Sequence, residues 1–175
     1  TVVGAFKLKK YNRLQKQYGF YKWNRMPFEL RKYIQEAAEI INNDGLDTVV
    51  DIGCGLGELL RHIDARCKIG VDIDEESIAV AKLLDKSGKI NFFVGTFDKI
   101  KGIKADYVVT LNFMGGHDVE YWKPYYRKLL EENNFDKLLV DVLPEKNGNY
   151  HLDFTEILPE NYHLIIDKGP YMAER

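Results

Sequence analysis

The residues best placed for chemistry are two aspartates and the glycines that follow the first of them. Asp51 lies near the end of a short β-branched run, and three glycines come after it at alternate positions, Gly53, Gly55 and Gly57. Glycine permits a sharp backbone turn and lets a ligand approach without a Cβ in the way. Asp72 ends a second apolar run, where a carboxylate can accept hydrogen bonds from both hydroxyls of a ribose. The pattern therefore predicts a nucleotide-binding site.

These residues must be held by alternating strands and helices. Thr48–Ile52 and Lys68–Asp72 have the composition of buried parallel strands. A helix is expected at Glu58–Ile63, and another after Asp72 with Asp74 as its N-cap, ending near position 88. Further strands are predicted at 90–94, 105–111 and 137–143, and further helices at 5–18, 26–45 and 119–134.

The glycine spacing is not that of a dinucleotide fingerprint. A G-x-G-x-x-G pattern would place its third glycine at position 58, where this chain has Glu58. A pyrophosphate would be repelled by Asp51 and Glu58, whereas a cationic ligand that bears an amino acid would tolerate them. The sequence therefore disfavours an NAD-dependent enzyme.

Two stretches resemble a known family. Asp51-x-Gly53-x-Gly55-x-Gly57 resembles motif I of the class I S-adenosylmethionine (SAM) methyltransferases, and Gly70–Asp74 resembles their second motif. The resemblance implies a single domain over residues 1–175, a three-layer α/β/α sandwich with a mostly parallel seven-stranded sheet. It implies N-terminal helices or a lid at 1–46, a cofactor-binding core at 47–145 and closing strands at 146–175. It also implies SAM as the cofactor, with its methionine end beside the glycine loop.

The same resemblance assigns further cofactor contacts to Ile73, Thr96, Phe97 and Asn112, which follow the second, third and fourth predicted strands. Members of the family often carry an acidic residue where Thr96 stands, and that residue contacts the adenine amino group. Thr96 therefore departs from the family pattern, which leaves the adenine contact open. Phe97 is expected to offer an apolar face to the ring.

Aromatic residues are expected to line the acceptor side. In small SAM methyltransferases an N-terminal segment often folds over the cofactor, and by that resemblance Tyr21, Trp23 and Arg25 form a lid or touch the methionine carboxylate. Tyr121 and Trp122, at the start of the predicted helix 119–134, are candidates for acceptor contact. The alternative is that these aromatic side chains only pack against the core.

His117 is the candidate general base, because it follows the fourth strand and two glycines. A hydroxyl acceptor benefits from a base, whereas an amine or carboxylate acceptor needs none. The alternative is a histidine that only hydrogen-bonds the backbone of its loop. The Asn/Asp-Pro-Pro-Tyr/Phe motif of many enzymes that methylate planar exocyclic amines is missing here, which disfavours nucleobase or glutamine methylation.

Composition limits the class of protein. Apolar residues make up 45% and charged residues 30% of 175, without an apolar run long enough to cross a membrane, so we expect a cytoplasmic globular domain. The two cysteines form no C-x-x-C pair, and no cluster has metal-ligand spacing, so no metal is expected.

Charge is unevenly distributed. Residues 1–33 hold nine basic residues and one acidic residue, or +8, which leaves −10 for the rest of the chain. This excess of basic residues favours a small anionic methyl acceptor, such as a saccharide or nucleotide-linked precursor. The alternative is that the basic residues only form a solvated helix face that offsets the acidic charge of the rest of the chain. Two alternatives are an RNA or protein methyltransferase that grips its substrate with this basic arm, and a non-catalytic SAM-binding module. The oligomeric state stays open.

Overall fold

The computed structural model describes residues 1–45, 47–112 and 119–140, and by their backbone alone the two strands at 163–166 and 171–174. Its helices are α1 (Val2–Tyr18), α2 (Lys32–Asp44), α3 (Glu75–Leu84) and α4 (Val119–Glu132). Its strands are β1 (Thr48–Ile52), β2 (Cys67–Asp72), β3 (Ile90–Val94), β4 (Lys104–Thr110), β5 (Asn134–Val140), β6 (His163–Ile166) and β7 (Tyr171–Glu174).

The strands form one seven-stranded sheet in the order β3-β2-β1-β4-β5-β7-β6. Strands β1 to β5 run parallel, and β7 pairs antiparallel with both β5 and β6. The predicted mostly parallel, seven-stranded sheet is confirmed. Strand order reverses between β1 and β4, and ligands of open α/β sheets bind beyond the carboxyl ends of the strands at such a point.

Both faces of the sheet are covered. On one face α2 places Ile34, Ala37, Ala38 and Ile41 against the sheet. On the other face α4 buries Tyr126 and Leu129 completely. Because both faces are buried, the central strands are apolar over most of their length, which explains why short β-branched runs identified them.

The N-terminal region differs from prediction between its two helices. A single helix was expected from Met26–Pro27, but Phe28–Leu30 forms a short 3₁₀ turn and α2 begins at Lys32. Arg31 separates the two with an extended backbone (φ −121°, ψ 93°). In the 3₁₀ turn the Phe28 amide donates a hydrogen bond to Oε2 of Glu58.

The helix predicted at Glu58–Ile63 is wrong. Residues 55–61 form consecutive turns, with hydrogen bonds from the amide of Gly57 to the Cys54 carbonyl and from that of Arg61 to the Gly57 carbonyl. Gly55 and Gly57 have φ of 52° and 72°. A regular helix cannot run through these left-handed glycines. Beyond them, the bond from Arg61 to Gly57 spans four residues and the next one, from the His62 amide to the Leu59 carbonyl, spans three, so no regular helix continues.

Candidate functional site

Asp51 and Asp72 lie near the carboxyl ends of neighbouring parallel strands, since Asp51 pairs with Gly70 in the register of β1 and β2. The Asp72 carboxylate holds the loop after β1, because Oδ2 accepts a 2.7 Å hydrogen bond from the Gly55 amide. Its Oδ1 accepts one of 2.9 Å from the Asp74 amide. Each carboxylate oxygen can accept a second hydrogen bond. Asp72 is thus a structural anchor with acceptor capacity left for a ligand.

The Asp51 carboxylate is buried and unpaired. Its residue is 5% exposed, and it accepts no hydrogen bond from any residue that the structure describes. Burial raises the pKa of Asp51 to about 8, and the negative charge of Asp72 adds to the rise. Burial also raises the pKa of Asp72, against the opposing effect of its backbone donors. The nearby positive charge of Arg31 lowers the pKa of Asp51 only in part, and neither carboxylate has an ion pair in the described part of the chain. Two crowded carboxylates of this kind form a site that favours a positively charged ligand.

The glycines of the loop are needed for packing inside the protein as well as for the approach of a ligand. The amides of Gly53 and Cys54 both donate to the Val71 carbonyl, at 2.7 and 3.1 Å, which ties the loop to β2. A Cβ on Gly57 would lie 2.7 Å from the Phe92 ring, so this position has no room for a side chain. A Cβ on Gly55 would lie 2.8 Å from Oδ1 of Asn24. The loop is therefore enclosed by β3 and by the N-terminal segment.

The N-terminal segment lies against the carboxyl edge of the sheet. The Tyr21 amide donates to Oδ2 of Asp74 (2.9 Å), and Nδ2 of the buried Asn24 donates to the Ser77 hydroxyl (2.9 Å). The rings of Tyr21 and Trp23 lie 4.6 Å apart and stay 44% and 62% exposed. This is the position that a lid requires, and the lid role itself stays a prediction.

Asp74 occupies the predicted N-cap position of α3 without capping the helix amides. Its carboxylate instead accepts from the Ser77 hydroxyl (2.5 Å) and from the Tyr21 amide. The residue that follows the tip of β2 therefore connects the second motif to the N-terminal segment.

Glu58 does not face the loop opening, so the charge argument that used it against a pyrophosphate is wrong. Its carboxylate is 1% exposed and accepts hydrogen bonds of 2.5 Å from the Tyr11 hydroxyl and from the Phe28 amide. Arg61 pairs with the same carboxylate. Glu58 is thus a buried connection between the glycine loop and the N-terminal helices.

The other predicted cofactor residues surround the same edge. Ile73 is 64% exposed next to Asp72, an apolar side chain without cover at a strand end. Thr96 is exposed, whereas Phe97 is buried with its ring edge-to-face to Tyr125 at 5.0 Å. Asn112 follows β4 with a left-handed φ of 51°. Strained backbone of this kind clusters at functional sites.

Most of the residues predicted to contact the methyl acceptor lie in the described part of the chain. Tyr121 is 54% exposed at the start of α4, and its ring is edge-to-face to the half-buried Trp122 at 5.0 Å. Arg25 donates to Oδ1 of Asn12 and so is held against α1. His117 lies outside the described residues, and its role stays a prediction.

Sequence reasoning missed Asn24, Phe92 and the true direction of Glu58. Each acts through a contact with a residue 30 or more positions away, and no local pattern marks such a contact. The one available signal was an acidic residue directly after the third glycine. If such a residue is buried by the fold, its carboxylate needs partners.

A family described as "methyltransferase domain" matches residues 49–133, which include β1 to β4, the glycine loop and α4. Residues 49–133 are a methyltransferase domain. This confirms the family predicted from the two motifs, and it makes the protein an enzyme with SAM as its cofactor. A search of curated protein sequences finds no significant match.

Solved structures show the same fold at low identity. The magnesium protoporphyrin IX methyltransferase of Synechocystis PCC 6803 with bound SAM is 19% identical, with a TM-score of 0.65, over 100% of this chain and 96% of that one. A small RNA methyltransferase is 16% identical (TM-score 0.64; 89% and 26% covered). An amino pentose methyltransferase of Micromonospora echinaspora is 17% identical (TM-score 0.53; 79% and 60% covered). In the described part of this chain, no helix has the length and hydropathy needed to cross a bilayer.

Proposed function

We propose that the chain transfers the methyl group of SAM to a small anionic acceptor at the carboxyl edge of the sheet. The observation that carries this proposal is the unpaired, buried Asp51 carboxylate beside Asp72. SAM carries a sulfonium and an ammonium group, and both are cations. A buried carboxylate without a partner fits such a ligand better than it fits any phosphate.

The remaining predicted contacts divide by chemistry. Asp72 supplies acceptors for the ribose hydroxyls, and the exposed Ile73 supplies an apolar surface for adenine. Thr96 and Phe97 lie after β3, on the adenine side. Asn112 follows β4, where its strained backbone bounds the space next to the transferable methyl group. Gly53, Gly55 and Gly57 shape the loop that we assign to the methionine end.

Methyl transfer needs the acceptor in line with the sulfonium methyl, and holding that geometry supplies several kcal/mol of the barrier. Tyr21 and Trp23 on one side and Tyr121 and Trp122 on the other are the aromatic residues that we assign to this task, with Arg25 beside them. His117 would take the proton of a hydroxyl acceptor.

The anionic character of the acceptor is supported by charge. Lys9, Lys10 and Arg13 are exposed on α1 and line a shallow groove with Phe6 and Leu14. These three cations have no ion pair in the described part of the chain. One solved structure that covers 100% of this chain and is itself covered to 96% acts, by its name, on magnesium protoporphyrin IX.

The test combines acceptor charge with charge reversal. Transfer from labelled SAM is measured on a panel of phosphorylated sugars and their unphosphorylated counterparts. We expect methylation of phosphorylated members only, reduced about tenfold or more in a Lys9→Glu/Lys10→Glu/Arg13→Glu variant. Reversal of Lys82, Lys86 and Lys89 is the matched control, since it makes the same net charge change on exposed residues elsewhere. Unchanged turnover in the first variant would exclude the proposed role of α1.

The same basic groove favours RNA as a second candidate acceptor. In that case methylation of an RNA oligonucleotide would fall steeply as salt is raised, because phosphate contacts release counterions. A small anionic acceptor would show a shallow salt dependence in the same assay.

A further inference from the structure

Arg31 carries a guanidinium group without a partner. Its Nε is buried, and the side chain makes no hydrogen bond or ion pair with any residue that the structure describes. Two other arginines of this region have partners: Arg25 donates a hydrogen bond to Asn12, and Arg61 forms an ion pair with Glu58. A buried donor without an acceptor costs about 1–3 kcal/mol, so its presence in a native structure calls for an explanation such as a bound water, ion or ligand.

The backbone at Arg31 is fixed next to the glycine loop. The Arg31 amide donates to the Phe28 carbonyl at 3.1 Å. The Phe28 amide in turn donates to Oε2 of Glu58 at 2.5 Å, and Glu58 directly follows Gly57. Two hydrogen bonds therefore connect the residue that carries the guanidinium to the loop after β1.

The guanidinium also acts on Asp51 without contacting it. Its positive charge lowers the pKa of Asp51, in opposition to the larger effects of burial and Asp72. No ion pair joins the two side chains. Arg31 is thus near enough to influence the site electrostatically, and its donors stay available to a ligand.

The amino-acid end of SAM carries charges of both signs. Asp51 and Asp72 suit its ammonium and sulfonium groups, but they would repel its carboxylate. A carboxylate next to them needs a cation, and an arginine fork matches the two oxygens of a carboxylate in a bidentate pair. We propose that Arg31 binds the methionine carboxylate of SAM. The proposal rests on the cofactor site assigned above.

The test removes one charge from the protein and one from the ligand. S-adenosylhomocysteine and its decarboxylated analogue, which keeps the amine, are titrated calorimetrically into wild-type protein, Arg31→Met and Arg31→Lys. Lys32→Met is the matched control, because it removes a cation from the next position, whose side chain is 90% exposed. Thermal unfolding of each variant confirms that it is folded.

We expect Arg31→Met to weaken S-adenosylhomocysteine about tenfold to a hundredfold, the size of a charge-assisted pair, and to change binding of the decarboxylated analogue less than about twofold. Arg31→Lys should recover part of the loss, and Lys32→Met should bind as wild type does. In the wild type, the analogue should bind more weakly than S-adenosylhomocysteine by a similar factor.

Equal losses for both ligands in Arg31→Met would overturn the proposal, since Arg31 would then act on the shape of the site and not on a carboxylate. An unchanged affinity for S-adenosylhomocysteine would also overturn it, while leaving the cofactor site itself intact. Failure of the wild type to bind either ligand would instead reject the cofactor site, and the role of Arg31 with it.

Discussion

Replacing Asp51 with asparagine should stabilise the protein without ligand while weakening its cofactor binding. In the folded chain the pKa of Asp51 is raised to about 8 from an ordinary value of 3.8. The unfolded chain therefore loses this proton near pH 4, and the folded chain keeps it until about pH 8. Between these values the folded state binds more protons, so stability falls as pH rises.

The magnitude follows from the shift. Each pKa unit corresponds to about 1.4 kcal/mol, so a rise of about four units costs the folded state roughly 5 kcal/mol above pH 8. An asparagine at this 5%-exposed position would leave its amide without a partner, at a cost of about 1–3 kcal/mol. The variant should therefore gain about 2–4 kcal/mol over wild type at pH 8 and almost nothing at pH 5.

Urea unfolding at pH 5, 6, 7 and 8 measures this difference. Asp72 contributes a slope of the same sign in both proteins, whereas Glu29, Asp44 and Asp85, whose pKa values are lowered, act only in the acid range. The comparison with wild type therefore isolates Asp51. A variant that is less stable than wild type at pH 8, or whose stability difference does not change with pH, would refute the reasoning.

Three further substitutions test the packing of the loop. Glu58→Gln should destabilise the protein by about 3 kcal/mol in denaturant unfolding, because it leaves the partly buried Arg61 without its charge partner. Equal stability would show that the connection contributes nothing. Tyr11→Phe, which removes one donor to Glu58 and one acceptor of a 3.2 Å hydrogen bond from Arg61, should cost about 1–2 kcal/mol in the same measurement. Gly57→Ala should cost at least about 2 kcal/mol more than Gly102→Ala in the same measurement. Both residues have positive φ, but only a Cβ at Gly57 would meet the Phe92 ring. Equal losses would mean that the ring moves aside freely.

The parts of the fold that sequence alone predicted are those with a local signature. β1 and β2 are short apolar runs that each contain a single carboxylate, and the glycines between them mark a turn that other residues cannot make. Helix α2 was found from the spacing of its buried residues. These features depend on neighbours along the chain, and a pattern is enough to detect them.

The parts that sequence did not predict depend on distant contacts. Glu58 was taken for a charge at the loop opening, but its partners Tyr11 and Phe28 lie 47 and 30 residues before it. Gly57 was assigned to ligand approach, and its need for glycine comes from the Phe92 ring on β3. The helix expected after the loop was wrong, because residues 55–61 form consecutive turns instead. Only the folded arrangement brings these residues together.

The most direct test of the account is a calorimetric titration with S-adenosylhomocysteine, with NAD as the control ligand, on wild type, Asp72→Ala and Asp136→Ala. The account predicts that S-adenosylhomocysteine binds wild type and that NAD does not. It predicts about a tenfold or greater loss in Asp72→Ala, where the ribose acceptor and the anchor of the Gly55 amide are both removed, and no loss in the exposed Asp136→Ala. Equal binding to all three proteins, or no binding to wild type, would contradict the assignment of the cofactor site to the ends of β1 and β2.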